Sequence, residues 1–389
     1  MPLRHGITPL VAILFAVIGL YLVIARHRSA RIVAPWFLTC AVLYGAWTLL
    51  LVALRGEPIV DNRQVTYSLL VAVLAFAGSG MVLIRDPMRH FVIGSRIGVV
   101  VAALISIGLD PEGVIRFGMG GNSAPFALIT AITMVASLVP LANAPRWAPN
   151  SIVYAIIGAL PIFASETRAV LVVVAVVLVV ESVVWLAARP KPHRIAAIAF
   201  IVPVGVAALF IGPIHEMIEQ LFLPVFWYYA GYEAEWAGSL SGDLRLSMWQ
   251  GAVKAIFESP IVGYGDDRME FVRAYSPYLQ DALGEFRHVH NALLDELLAH
   301  GVVGLFLLLG TLGAAVVHLV RKNPEPALRR NIAYVVVAIS AYGMFHNPFL
   351  HETTICAIFL YIGVMIADTS KRELALRRRI SSPPTIRPA

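Results

Sequence analysis

The stretch H-V-H-N-A-L-L-D-E, residues 288–296, sets two histidines, an asparagine, an aspartate and a glutamate at the head of an apolar run that reads as one uninterrupted helix to Gly310. Histidine accepts a proton near neutral pH, so His290, with His288 beside it, is a candidate general base. Asn291 suits the N-cap of the following helix, which offers His290 a blander role beside a cap at an exposed surface. Asp295 and Glu296, about one turn on, either orient His290 or face the helix dipole. Nearby arginines would depress the histidine's pKa and hold it neutral, the state a base requires.

Three arginines could supply anion-binding chemistry. Arg168 stands in S-E-T-R, a linker too short to leave room for a loop between two apolar runs. A guanidinium there sits at headgroup level, where it is costly unless it pairs with Glu166, snorkels, or meets an anion. Its planar fork of donors suits phosphate oxygens. Arg245 falls in the first turn of an expected helix, where the dipole repels a cation, so it either pairs with Asp243 or serves a ligand. Arg116 lies in the linker R-F-G-M-G-G-N-S, whose glycines form no phosphate-loop pattern. His346, Asn347, His351 and Glu352 join this set from the last linker of the same face.

Other polar features have simpler readings. Gly265-Asp266-Asp267 reads as a solvated turn rather than a metal pair. Glu181, the one acid inside an expected span, is expected to pair with Arg189 or Arg194. Cys40 and Cys356 fall in apolar runs and suggest neither a disulfide nor a metal site. No cofactor or metal is expected.

The elements that must position these residues are membrane helices. Of 389 residues, 59% are hydrophobic and 14% charged, too apolar for a soluble domain of this size. Apolar runs at 7–25, 32–54, 65–84, 91–109, 124–142, 150–165, 169–188, 195–213, 292–319, 331–347 and 353–367 give 11 or 12 transmembrane helices, the first read as a retained span rather than a signal peptide. Alternate linkers carry 20 of the 30 basic residues but five of the 24 acidic ones, a bias that marks them as cytoplasmic. The net charge of +6 is therefore a topology signal, not a nucleic-acid footprint. The expected organisation is all-α: helices over 1–213, one large outer loop over 214–289, helices over 290–368, and a basic tail over 369–389. In the loop, Trp227, Tyr228, Tyr229 and Tyr232 suit an interfacial helix. Leu246, Trp249, Val253 and Ile256 then recur at helical spacing up to Pro260.

On these residues the chain resembles the O-antigen ligase and O-antigen polymerase superfamily. The carriers are H-N-A-L-L-D-E-L-L-A-H-G-V-V-G-L, Arg245 with Trp249 and then S-P-I-V-G-Y-G, the S-E-T-R-A linker, and R-F-G-M-G-G-N-S-A-P. Thr167 and Ala124-Pro125 depart from the family's serine and Asn-Pro. The resemblance implies a bacterial inner-membrane glycosyltransferase, with a periplasmic site and a metal-independent, inverting reaction. It would take a glycan from undecaprenyl diphosphate to a sugar hydroxyl of lipid A–core, or, in a polymerase, to another carrier-linked repeat. By this implication His290, Arg245 and Arg168 are catalytic, and Arg116, Asn291, His288 and Trp249 bind substrate; the partners are donor, acceptor and membrane lipids. A secondary transporter is the reading of another class. It calls for midplane charges on interrupted helices or inverted repeats, none of which the sequence shows. A passive scaffold leaves Arg168 without a reason.

Overall fold

The computed structural model describes residues 3–25, 34–109, 118, 122–190, 240–276 and 286–381. Among them the protein is all-α: α1 Leu3–Ile24, α2 Pro35–Arg55, α3 Arg63–Leu74, α4 Ala77–Met81, α5 Pro87–Leu109, α6 Ser123–Ser137 and α7 Val153–Ala164. These are followed by α8 Arg168–Ala187, α9 Leu240–Glu258, α10 Arg268–Ala274, α11 Ala292–Lys322, α12 Pro326–Gly343 and α13 Glu352–Ser381. Among the described residues six helical segments are long and apolar enough to cross a membrane and three further apolar helices are shorter, which makes this a polytopic membrane protein. The expected span 195–213, the aromatic helix around Trp227, and Arg116 lie outside the described residues.

Asparagine side chains start the helices that matter most here. Asn62 accepts from Gln64 N and Val65 N at α3, and Asn122 from Ala124 N at α6. The run expected as one span over 65–84 is one membrane-crossing segment, Arg63–Met81, with a turn at residues 75–76 between α3 and α4. There α4 crosses α1 so closely that a Cβ on Gly19 would lie 1.9 Å from the Phe76 carbonyl oxygen, and one on Gly80 2.1 Å from that of Phe15.

The two ends of the bundle differ in their chemistry. At the end rich in Lys and Arg, Arg96 is only 1% exposed and donates to Ser137 O (3.0 Å), Ala148 O (2.7 Å), Val139 O (3.0 Å) and Asn150 Oδ1 (2.8 Å). It thereby satisfies carbonyls that the end of α6 leaves open. Glu181 corrects the expected pairing: it accepts from Arg330 Nε at 3.1 Å and from the Tyr334 hydroxyl at 2.8 Å, while Arg189 lies over the Trp185 ring. The span leaves Glu181 facing α12 rather than the linker that carries Arg189, and expected Arg194 is outside the described residues. The opposite end gathers the starts of α3, α8, α11 and α13. Against the start of α11, α9 and α10 fold around a small core of their own, with Met248, Ala252, Met269, Val272, Val289 and Leu298 buried together.

Candidate active site

The helix that carries the site is interrupted. Gly301 in α11 has φ 67° and ψ −171°, so the run expected as continuous is two helical segments joined at a kink. Such a break strands backbone groups that must find other partners inside a low-dielectric bundle. Each of the following is met from elsewhere in the chain. Tyr264 N donates to Leu298 O at 2.6 Å, Arg55 Nη2 to Ala299 O at 3.2 Å, Trp47 Nε1 to His300 O at 3.0 Å, and Val302 N to Pro260 O at 2.8 Å. Arg55 Nη2 also bonds Val262 O. A Cβ at Gly301 would stand 2.0 Å from Ile261 O, and the backbone there occupies a region open essentially to glycine alone. Residues 259–265 are thus a backbone plug for the kink, and Gly263, with φ 65°, lets them approach Leu298. Residues 302–320 beyond the kink carry no Asp, Glu, Lys or Arg. The polar segment 292–300 therefore sits at the edge of the apolar layer, level with Arg55 at the end of α2, and not at its middle.

His290 stands just before this segment in a left-handed backbone conformation, φ 52°. Two neighbours hold it there. Trp249 Nε1 donates to Val289 O at 2.8 Å, and Asn291 caps α11 by accepting from Leu293 N and Leu294 N, both at 3.1 Å, while its Nδ2 donates to Met344 O at 3.3 Å. Trp249 and Asn291 therefore act on the backbone around the histidine in this structure. The His290 ring lies 4.2 Å from His288, 5.5 Å from Phe286 and 5.9 Å from His346 between centroids. Its Nδ1 is buried without a hydrogen-bond partner among the described residues. Burial, then the proximity of His288 and Arg245, lowers its pKa to about 4; burial and His288 do the same to His351, and burial lowers that of His288. The imidazole is consequently neutral at ordinary pH.

The acids do not touch His290. Asp295, 1% exposed, accepts from Arg268 Nε and Asn347 Nδ2, each at 2.9 Å. Glu296 bonds His300 Nδ1 at 2.8 Å and accepts from the Tyr44 hydroxyl at 3.2 Å. Burial works against the charge on Arg268, but Asp295 and then Asp266, 3.7 Å away, hold its pKa above the ordinary value. These pairs tie α11 to α2, to α10 and to the turn before α13, and so fix the platform on which His290 stands.

A cavity of about 630 Å³ opens beside the histidines. Arg63, Gln64 and Tyr67 of α3 line one wall and Asp266, Arg268 and Arg273 another, with Arg287, His288, His290 and His351 completing it. Arg245 is half-buried in the second turn of α9, one turn further in than expected, and its charge acts on His290. Arg168 is exposed at the start of α8. Glu181, thirteen residues further along α8, meets Arg330 and Tyr334 near the start of α12. Neither Arg168 nor Arg245 is among the residues that line the cavity. Arg63, Arg268, Arg273 and Arg287 were not singled out by sequence; the signal that carried them was their placement in the sparsely basic set of linkers.

The fold and the site together define a polytopic α-helical membrane protein with a guanidinium- and histidine-lined cavity at one end of its bundle. Residues 153–309 match the family model described as O-antigen ligase, which supports the O-antigen ligase and polymerase superfamily. The family is one of glycosyltransferase-like enzymes. The matched segment holds Arg168, Arg245, Trp249, the plug, His288, His290, Asn291 and the kink, and leaves out the Arg116 linker and His351. No curated protein matches the chain.

Proposed function

We propose that the protein transfers an O-antigen glycan from undecaprenyl diphosphate to a sugar hydroxyl of lipid A–core at the periplasmic face of the bacterial inner membrane. The observation that carries this reading is a neutral His290, its Nδ1 buried without a hydrogen-bond partner among the described residues, beside an arginine-lined cavity and within reach of the charge of Arg245. His290 removes the proton of the acceptor hydroxyl as its oxygen bonds to the sugar C1. The bond from C1 to the diphosphate oxygen breaks on the opposite side, inverting the anomeric centre. Arg245 and Arg168 stabilise the charge that collects on the leaving diphosphate, which requires no metal. Arg116 would add a further contact, and an interfacial helix around Trp227 would hold the lipid carrier.

The matched segment is common ground for ligase and polymerase. In the polymerase reading the same chemistry joins two carrier-linked repeats, so the acceptor decides between them. The transporter reading is served by the kink at Gly301, an interruption that the sequence did not reveal. The kink lies at the edge of the apolar layer, however, and its stranded groups are taken up by a protein plug rather than left open to a passing solute.

The test is transfer from purified undecaprenyl-diphosphate glycan to lipid A–core by the purified protein, with chelator present. His290→Ala is expected to lower the rate by roughly 10²–10⁴-fold, the range of general-base contributions. Transfer by that variant at the wild-type rate would remove the base, loss on chelation would remove metal independence, and products formed only on carrier-linked repeats would establish the polymerase.

A further inference from the structure

The reaction proposed above uses Arg245 and Arg168, and it leaves the cations of the cavity unassigned. Arg268 is occupied by Asp295, Asp266 and the Gly265 carbonyl, and Arg273 Nε by Met269 O. Arg63 and Arg287, by contrast, make no ion pair or hydrogen bond among the described residues, yet both face the cavity. Arg63 is also the first residue of α3, where the helix dipole disfavours a cation. Next to it Gln64, only 4% exposed, lines the same wall with its amide nitrogen and oxygen both lacking a partner among the described residues. A buried amide in that condition costs free energy unless a ligand completes it. Two unpaired guanidiniums, an unsatisfied amide and a charge-opposed helix start converge where His290 presents its ring.

We infer that this cavity is the acceptor subsite, and that it selects a glycan bearing an anionic group, phosphate or carboxylate, close to the hydroxyl that attacks. Arg63 and Arg287 bind the anion, with the free end of Arg273 beside them. Gln64 hydrogen-bonds the sugar, and Asp61, on the same wall, accepts from its hydroxyls. The donor diphosphate is held by Arg245 and Arg168, which do not line this cavity, so the acceptor and the leaving group are bound by separate sets of cations with His290 as the base. The inference rests on the transfer reaction proposed above and adds the charge of the acceptor to it.

Steady-state transfer with full-length protein tests it in three arms: untreated acceptor, acceptor treated with phosphatase, and acceptor whose carboxylates are converted to amides. The KM for acceptor is expected to rise about tenfold or more in the arm that loses the recognised group, which also identifies that group. The double variant Arg63→Gln with Arg287→Gln should show the same rise with untreated acceptor and match wild type with the neutralised one, a split that a merely structural role would not produce. Inorganic phosphate should inhibit competitively against acceptor. An unchanged wild-type KM in both treated arms overturns the inference, as does an equal KM increase by the double variant for charged and neutral acceptors. Phosphate competing with donor instead would assign these arginines to the diphosphate and overturn it too. If wild-type protein transfers to no acceptor, the transfer reaction itself falls, a result distinct from transfer that ignores acceptor charge.

Discussion

Arg96 and Arg63 are the same side chain at opposite ends of one bundle, and they are treated in opposite ways. Arg96 is buried and its donors are taken up by three carbonyls and an amide oxygen, so it serves the turn that leaves α6. Arg63 stands against a helix dipole beside a cavity, with no ion pair or hydrogen bond among the described residues. Near Arg96, Glu181 with Arg330 and Arg372 with Asp368 continue the pattern of cations matched within the protein. The difference teaches that the cations at one end close the fold, whereas at the other end Arg268 and Arg55 do so and Arg63 and Arg287 face a cavity with no ion pair or hydrogen bond among the described residues.

Three changes probe that contrast, in order of expected effect. Gly301→Ala puts a Cβ against Ile261 O in a backbone region closed to alanine, and should destabilise the protein by about 4 kcal/mol or more, seen as loss of the folded species in detergent. Folding at wild-type stability would mean that the plug of residues 259–265 does not seal the kink. Arg96→Met strands several buried carbonyls and should cost about 3 kcal/mol in thermal or denaturant unfolding, without a selective change in acceptor KM. Arg63→Gln, exposed and unpaired, should shift stability by no more than about 0.5 kcal/mol. Were the Arg63 change to destabilise as much as the Arg96 change, the two ends would not differ in kind.

The helices were legible because a bilayer accepts only long apolar segments with internally satisfied backbones, and that demand is written locally in the chain. The turn between α3 and α4 was not, because both sides of it are equally apolar and the α1 backbone that packs closely there comes from a distant stretch of sequence. The kink at Gly301 was hidden for a related reason: its partners, Trp47, Arg55, Pro260 and Tyr264, come from distant stretches of sequence. The pattern S-P-I-V-G-Y-G was noticed in the sequence, and the structure gives its physical role as the plug. His290, His288 and Asn291 were readable as a cluster at a helix start. Asp295 was readable as an acid one turn on, but its pairing with Arg268 was not, since a pairing across the loop leaves no local signature. Asp266 read as solvated and is half in water, yet it also faces the buried Arg268.

The central claim is that His290 works as a neutral base, and the pH dependence of transfer tests it most directly. With its pKa lowered to about 4, the base stays competent as pH falls through the ordinary histidine range and is lost only as pH approaches 4. Measured as kcat/KM on wild type and His290→Ala, wild-type transfer should be level across about pH 5.5–7.5 and decline only below it, and this acid limb should be missing from the residual activity of the variant. A wild-type limb centred near the ordinary value of about 6.5, or a limb near 4 that survives His290→Ala, would contradict the account.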